Sequence, residues 1–343
     1  MEQKYFESYK AAGVDIDAGH RAVELMRHSA QRTADARVLG AFGVGSGLYD
    51  MGGLCEQSVL VTSTDAVGTK LKIAFCMDRH DTVGIDCVAM CVNDLLCFGA
   101  RPLFFSDYLA MDAIRPEKAD AIVAGVAEGC VQSGCALISG KTAQMPGFYG
   151  PEQYDLAGTA VGVAERGRCL DGSAVKAGDV ILGLASSGIH ASGYSLVRKV
   201  CEVERLGLDR YETVLGASLG EVLLQPSRIY VRAVLALLEA LPVAAIAHIS
   251  KGGLYEHLPR ALPAGLAAKV DTAAIHTQPI FQLIRRVGNI PQKDMFATFN
   301  MGVGMAVIVD KNDADAALQV LRGCGEKATV IGEVVPGEGL MLL

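Results

Sequence analysis

The residues best equipped for chemistry in this chain sit where apolar runs end. Asp65 closes the alternating stretch SVLVTST and is followed by Ala66-Val67-Gly68-Thr69-Lys70. A carboxylate, a glycine that lets backbone approach a ligand, a hydroxyl and an ammonium within six residues suit a phosphate and its metal ion. A lone Asp at a strand end also serves as a turn former or helix cap. Asn93-Asp94 interrupts an otherwise apolar helical pattern over 82–98. A carboxylate one position from a buried stripe needs a cation or several donors. Asp65 and Asp94 would supply the oxygen ligands that Mg²⁺ prefers, with waters and substrate phosphates completing the shell. The alternative for Asp94 is a solvated or hydrogen-bonded carboxylate. His190, in SSGIHASGYS between a strand and a helix, has hydroxyls and free N–H groups around it and suits an anion or a proton transfer. It could equally cap its own loop. His248 lies in a similar place, ahead of Ser250-Lys251-Gly252-Gly253. The stretch ISGKTAQMPGFYG, 138–150, reads as the end of a buried strand and a Gly-rich turn at a pocket mouth, and it offers Lys141, Thr142 and Gln144 but no carboxylate. GxxxxGK[ST] is absent, so none of the Gly-rich segments is a Walker loop.

Elements must hold these residues. Ala22, Val23, Met26 and Ala30 are spaced for a helix over 20–32, and Ile85, Val88, Val92 and Leu95 for one over 82–98 that Gly99 stops. Pro116 opens a helix to about Ser133, and Pro226 opens another to 241. Strands are expected over 58–64, 103–110, 135–139, 156–164 and 179–184. Residues 40–53 are Gly-dense and read as a loop. A second loop, 248–253, precedes a helix from Leu254, and the tail 303–334 reads strand–helix–strand. The polar, Gly-rich stretch 165–178 marks a domain boundary. Strands and helices mix irregularly in both halves, which predicts two α/β or α+β domains with partly antiparallel sheets.

At 343 residues the chain has room for two cores, and 51% hydrophobic content excludes a disordered chain. The net charge is −7 with no basic stripe, which argues against nucleic acid as a partner. No apolar run is long enough to span a membrane, and the N-terminal MEQKYFESYKAAG lacks the apolar core of a signal peptide. Ten cysteines without a CxxC pair read as buried thiols in a reducing cytoplasm.

Six stretches together resemble one family: YKAAGVDIDAG (9–19), TDAVGTK (64–70), RHDTVGIDCVAMCVNDLLCFGARPLFFSDY (79–108), TAQMPGFY (142–149), SSGIHASGYSLVRK (186–199) and FNMGVGM (299–305). The chain is similar to the aminoimidazole ribonucleotide synthetases, or phosphoribosylformylglycinamidine cyclo-ligases, of purine biosynthesis. The resemblance implies a cytoplasmic homodimer of two-domain chains. An N-terminal ATP-binding and dimerisation domain, 1–168, would pair its sheet across the dimer into a barrel, and a C-terminal α/β domain would occupy 169–343. It implies ATP- and Mg²⁺-dependent ring closure of a ribonucleotide substrate, formylglycinamidine ribonucleotide. Asp65 and Asp94 would hold Mg²⁺, with Gly68, Thr69, Lys70, Asn93, Lys141 and Thr142 around the nucleotide. Gly43 and Gly45 would belong to a loop closing over it. His190, Asp94 and Lys70 would serve catalysis. The family writes the 139–147 turn with Glu where this chain has Lys141 and Gln144; after Asp65 and in the 248–253 loop it has Gly where this chain has Ala66 and Lys251. Its Gly-Gly-Phe-Gly is here Gly43-Val44-Gly45-Ser46. Two other readings therefore stand beside a working cyclo-ligase. One is a paralogue that binds nucleotide or ribonucleotide with weak or no turnover. The other is a different ATP-dependent activation in the superfamily that includes selenophosphate synthetase and thiamine-monophosphate kinase.

Overall fold

In the computed structural model, residues 10–40, 42–43 and 46–343 are described. Gly45, expected in the nucleotide loop, lies outside them. The strands are β1 (Ser58–Ala66), β2 (Arg101–Met111), β3 (Ala136–Gln144), β4 (Tyr154–Glu165), β5 (Val180–Ala185), a short hairpin β6 (Tyr211–Glu212) and β7 (Ala217–Ser218), β8 (Ala245–His248), β9 (Leu266–Val270), β10 (Val303–Val309), β11 (Ala328–Pro336) and β12 (Gly339–Leu342).

The first sheet runs β1-β4-β2-β3, antiparallel except for the parallel β2–β3 pair. Side chains of β1 alternate between exposed and half-buried, as the sequence SVLVTSTDA alternates. One face is covered by helices Val83–Leu96, Pro116–Ser133 and Ile16–Gln31. The first two approach closely because Gly84 faces Val126, where a Cβ would lie 2.2 Å from the backbone nitrogen. Among the described residues the opposite face is largely uncovered: Leu60, Thr62, Thr64 and Tyr108 are exposed there, and Tyr49 packs against Phe104 with ring centroids 5.4 Å apart.

The second sheet runs β12-β9-β11-β5-β10-β8, with only β12–β9 parallel. Its β10, VGMAVIV, paired between β5 and β8, is buried along its whole length, which explains an apolar run with no alternation. Helices Val231–Ala240 and Ala314–Gly323 pack against each other beside this sheet. All ten cysteines are free thiols.

Two elements differ from the sequence expectation. The 138–150 stretch is not a turn after a short strand, because β3 continues through Lys141 to Gln144. The helix expected from Pro226 begins only at Val231. Residues 226–230 stay outside the helix because backbone N–H groups bond to side chains of the first half: Ser227 to Asp86 and Tyr230 to Asn93.

Candidate active site

A cleft of about 710 Å³ opens where the C-terminal end of β1 meets the second half of the chain. Asp65, Gly68 and Thr69 line one wall, and Ala191–Leu196 with Ser250–Gly252 line the other. Gly68 has φ +69 with open space beside it, so the turn leaving β1 requires glycine. Thr69 Oγ1 lies 3.1 Å from Ser195 Oγ, a hydroxyl pair bridging the walls. Lys251 is exposed at the cleft wall, and it is not among the residues with positive φ. The family's glycine there is therefore not needed for backbone conformation.

Asp65 accepts a hydrogen bond from the Ala66 N–H at 2.7 Å. Burial, and then the charge of Asp94, push its carboxyl up, while the Ala66 N–H and His248 oppose. Asp94 lines an adjoining cavity of about 460 Å³. Its Oδ1 meets His248 Nδ1 at 2.7 Å, and its Oδ2 accepts from Ser63 Oγ at 3.1 Å. Burial works to raise the Asp94 carboxyl, but the hydrogen bond and field of His248, with help from Ser63, hold it below the usual range. Two neighbouring carboxylates, one destabilised by the other, fit a divalent cation. Among the described residues no group of three or more His, Cys, Asp or Glu is arranged for a metal. Remaining ligands would therefore come from water and phosphate.

Three expected site residues lie beneath the cleft rather than in it. Lys70 is fully buried, and its Nζ sits 2.7 Å from Asp86 Oδ2, close but off the hydrogen-bond direction. It donates to the backbone oxygens of His190 at 3.1 Å and Gln225 at 2.6 Å. Asp86 accepts from Ser227 N–H and Oγ–H at 2.8 and 2.6 Å. Burial pulls Lys70 down and Asp86 up, and their mutual attraction opposes both shifts. The ammonium expected at a phosphate is thus an internal ion pair, because the 3₁₀ turn Gly68–Lys70 aims it inward. Asn93, also fully buried, donates to Arg228 O at 2.9 Å and accepts from Tyr230 N–H at 3.1 Å. It clamps backbone, not nucleotide.

His190 is buried at φ +66. Its Nε2 accepts from Ser187 N–H at 3.2 Å and Arg228 N–H at 3.4 Å, which leaves the ring proton on Nδ1, buried and without a partner. Burial, then the fields of His248, Lys70 and Arg228, hold this imidazole well below its usual range. A neutral ring committed to two backbone donors organises the loop; it is not placed to move a proton in the cleft.

Lys141 and Thr142 are on the far edge of the first sheet. Asp65, Gly158, Asp107 and Gly140 form one register row, so β3 lies three strand spacings, about 14 Å, from β1. Lys141, one residue on, shares the uncovered face with Tyr108. Gly43, at φ +90, packs against Val23, where a Cβ would lie 2.5 Å from Cγ1. None of the three adjoins Asp65 within this chain. Gln144 holds Asp15: its Oε1 accepts from Asp15 N–H at 2.9 Å, and its Nε2 donates to Asp15 O at 2.6 Å. Sequence reasoning missed Ser63, Ser195 and Arg228; hydroxyls near Asp65 and in the 186–195 loop were the available signal for the first two.

Residues 46–164 match the family description "AIR synthase related protein, N-terminal domain", and 176–342 match its C-terminal counterpart. The chain belongs to the AIR synthase family. It is 52% identical over 335 residues to the phosphoribosylformylglycinamidine cyclo-ligase of Acetivibrio thermocellus, covering 97% of this chain and 98% of that one. The cyclo-ligase of Alkaliphilus oremlandii is 50% identical over 338 residues, covering 98% and 99%. Among solved structures, thiamine-monophosphate kinase from Stenotrophomonas maltophilia superposes with a TM-score of 0.69 at 19% identity, over 94% of this chain and 95% of that one. The E. coli hydrogenase maturation protein HypE gives 0.65 at 16% identity, over 93% and 92%. These two share the fold of this AIR synthase family member.

Proposed function

We propose that this chain closes the imidazole ring of formylglycinamidine ribonucleotide at the expense of ATP, giving aminoimidazole ribonucleotide. The observation that carries this reading is identity of about half to cyclo-ligases along nearly the whole length of both chains. In this reaction the substrate amide oxygen attacks the γ-phosphorus and ADP leaves. The ring-forming nitrogen then attacks the activated carbon, phosphate leaves with the former amide oxygen, and a proton is lost.

Asp65 and Asp94 would hold Mg²⁺, which supplies charge neutralisation for the phosphates when bound. Gly68 and Thr69 present backbone and hydroxyl to the phosphates, and Lys251 supplies the ammonium that the buried Lys70 cannot. Lys70, Asn93 and His190 fix the walls on which those groups sit. Catalysis of this kind rests on positioning and electrostatics. Lys141 and Gln144 lie outside the cleft of their own chain, so their departure from the family's glutamates does not argue for a silent paralogue. We assign nucleotide binding and dimerisation to 1–168 and the second α/β domain to 169–343, in a cytoplasmic homodimer. The uncovered face of the first sheet, with Leu60 and Tyr108 exposed, supports the dimer. No helix among the described residues is long and apolar enough to cross a membrane.

The test is an assay of the purified chain with formylglycinamidine ribonucleotide, ATP and Mg²⁺. We expect ADP and aminoimidazole ribonucleotide in equal amounts. ADP without the imidazole product, or no turnover, would overturn the reading. Asp65→Asn should lower kcat/KM by about 10²-fold and raise the Mg²⁺ concentration needed for half-maximal rate.

A further inference from the structure

A second cavity, of about 790 Å³, lies at the other end of β1. It sits where Ser58 pairs with Glu165, seven residues from Asp65 and so about 24 Å from the cleft along the strand. Two arginines line it, Arg101 at the start of β2 and Arg168 in the link between the halves. Both are exposed, and neither has an ion pair or hydrogen bond among the described residues. Two lining carboxylates are present. Glu165 is already committed, its oxygens accepting from Glu56 and Gln57 N–H at 2.9 Å each. Glu239 is exposed at the end of helix Val231–Ala240. Apolar side chains share the lining: Leu170, Leu235, Leu238 and Pro242.

We propose that this cavity is a second ligand site, for a phosphate monoester carrying a flat or apolar ring. Two guanidiniums with no internal partner match the oxygens of a doubly charged phosphate in forked geometry. The leucine and proline side chains of the lining give a ring apolar surface to lie on, and the volume is that of a small-molecule site. Inorganic phosphate would use only half of it.

AMP is the probe, titrated calorimetrically into the full chain whose cleft is saturated with a non-hydrolysable ATP analogue. We expect one AMP per chain, bound at least tenfold more weakly by the Arg101→Ala/Arg168→Ala double variant. Gly167→Trp provides a variant that removes no contact, since a Cβ at Gly167 meets nothing within 4 Å. Its indole should fill the cavity and abolish AMP binding, with the cyclo-ligase rate within twofold of wild type. Loss of AMP binding when the ATP analogue is present would place AMP in the cleft and overturn the proposal. So would equal affinity in wild type and Gly167→Trp, or inorganic phosphate binding as tightly as AMP. If the chain binds no ATP at all, sensitivity to Gly167→Trp still decides the matter.

Discussion

At the scale of single residues, an amide at 144 does what an acid cannot. Gln144 both donates to and accepts from the backbone of Asp15, the N-cap of helix Ile16–Gln31. A glutamate would keep the acceptor, lose the donor and place a carboxylate against the Asp15 carbonyl oxygen. Gln144→Glu should therefore cost about 1–3 kcal/mol in urea unfolding, with no gain in turnover. The buried pair makes a sharper case. Lys70→Met leaves the Asp86 carboxylate in the interior with no cation, and should cost about 3–5 kcal/mol by the same measurement. A phosphate-binding role alone would instead raise KM for ATP and leave stability unchanged. Lys70 read as a phosphate contact because Gly-Thr-Lys follows a strand end; nothing in that spacing reveals that its partner sits 16 residues later on another helix. Asp65, Gly68 and Thr69 were legible for the opposite reason, since the strand end that marks them also opens the cleft.

Strands and helices carry their own consequence in Asp107, on β2. Its Oδ1 is buried without a partner beneath Gly140, and burial pushes the carboxyl up to about 7. An unfolded aspartate titrates near 3.9. Below that both states are protonated and nothing is lost; between about pH 4 and 7 the unfolded chain releases a proton that the folded chain retains. Stability conferred at low pH is thus lost as pH rises toward 7, and Asp107→Asn should remove that loss. The variant's advantage over wild type should be about 2–4 kcal/mol larger at pH 8 than at pH 4, measured by urea unfolding at both. The main elements of the first sheet and its helices were legible because local signals bound them: alternation in β1, and Pro116 and Gly134 at the ends of one helix. The extension of β3 and the delayed start of helix Val231–Ala240 were not. Both depend on hydrogen bonds to residues far away in sequence, which no local pattern encodes.

For the molecule as a whole, an uncovered sheet face predicts a partner. Sedimentation velocity should give twice the chain mass for the wild type. Leu60→Glu with Tyr108→Glu, two charges on that face, should give the chain mass with secondary structure unchanged. The join between the halves has a further meaning. Both charges of the buried pair, Lys70 and Asp86, belong to the first half, as does the clamping amide of Asn93. The second half answers with backbone groups of residues 190 and 225–230 and one serine hydroxyl. This part of the seam asks little of the side chains on one side; beside it, the second half adds the side chains of His248 toward Asp94 and Ser195 toward Thr69. Recombinants that splice the first half of this chain to the second half of a distant cousin should still dock where that half keeps counterparts of Ser195, Ser227 and His248, since residues 190, 225, 228 and 230 meet the first half through main-chain atoms common to both.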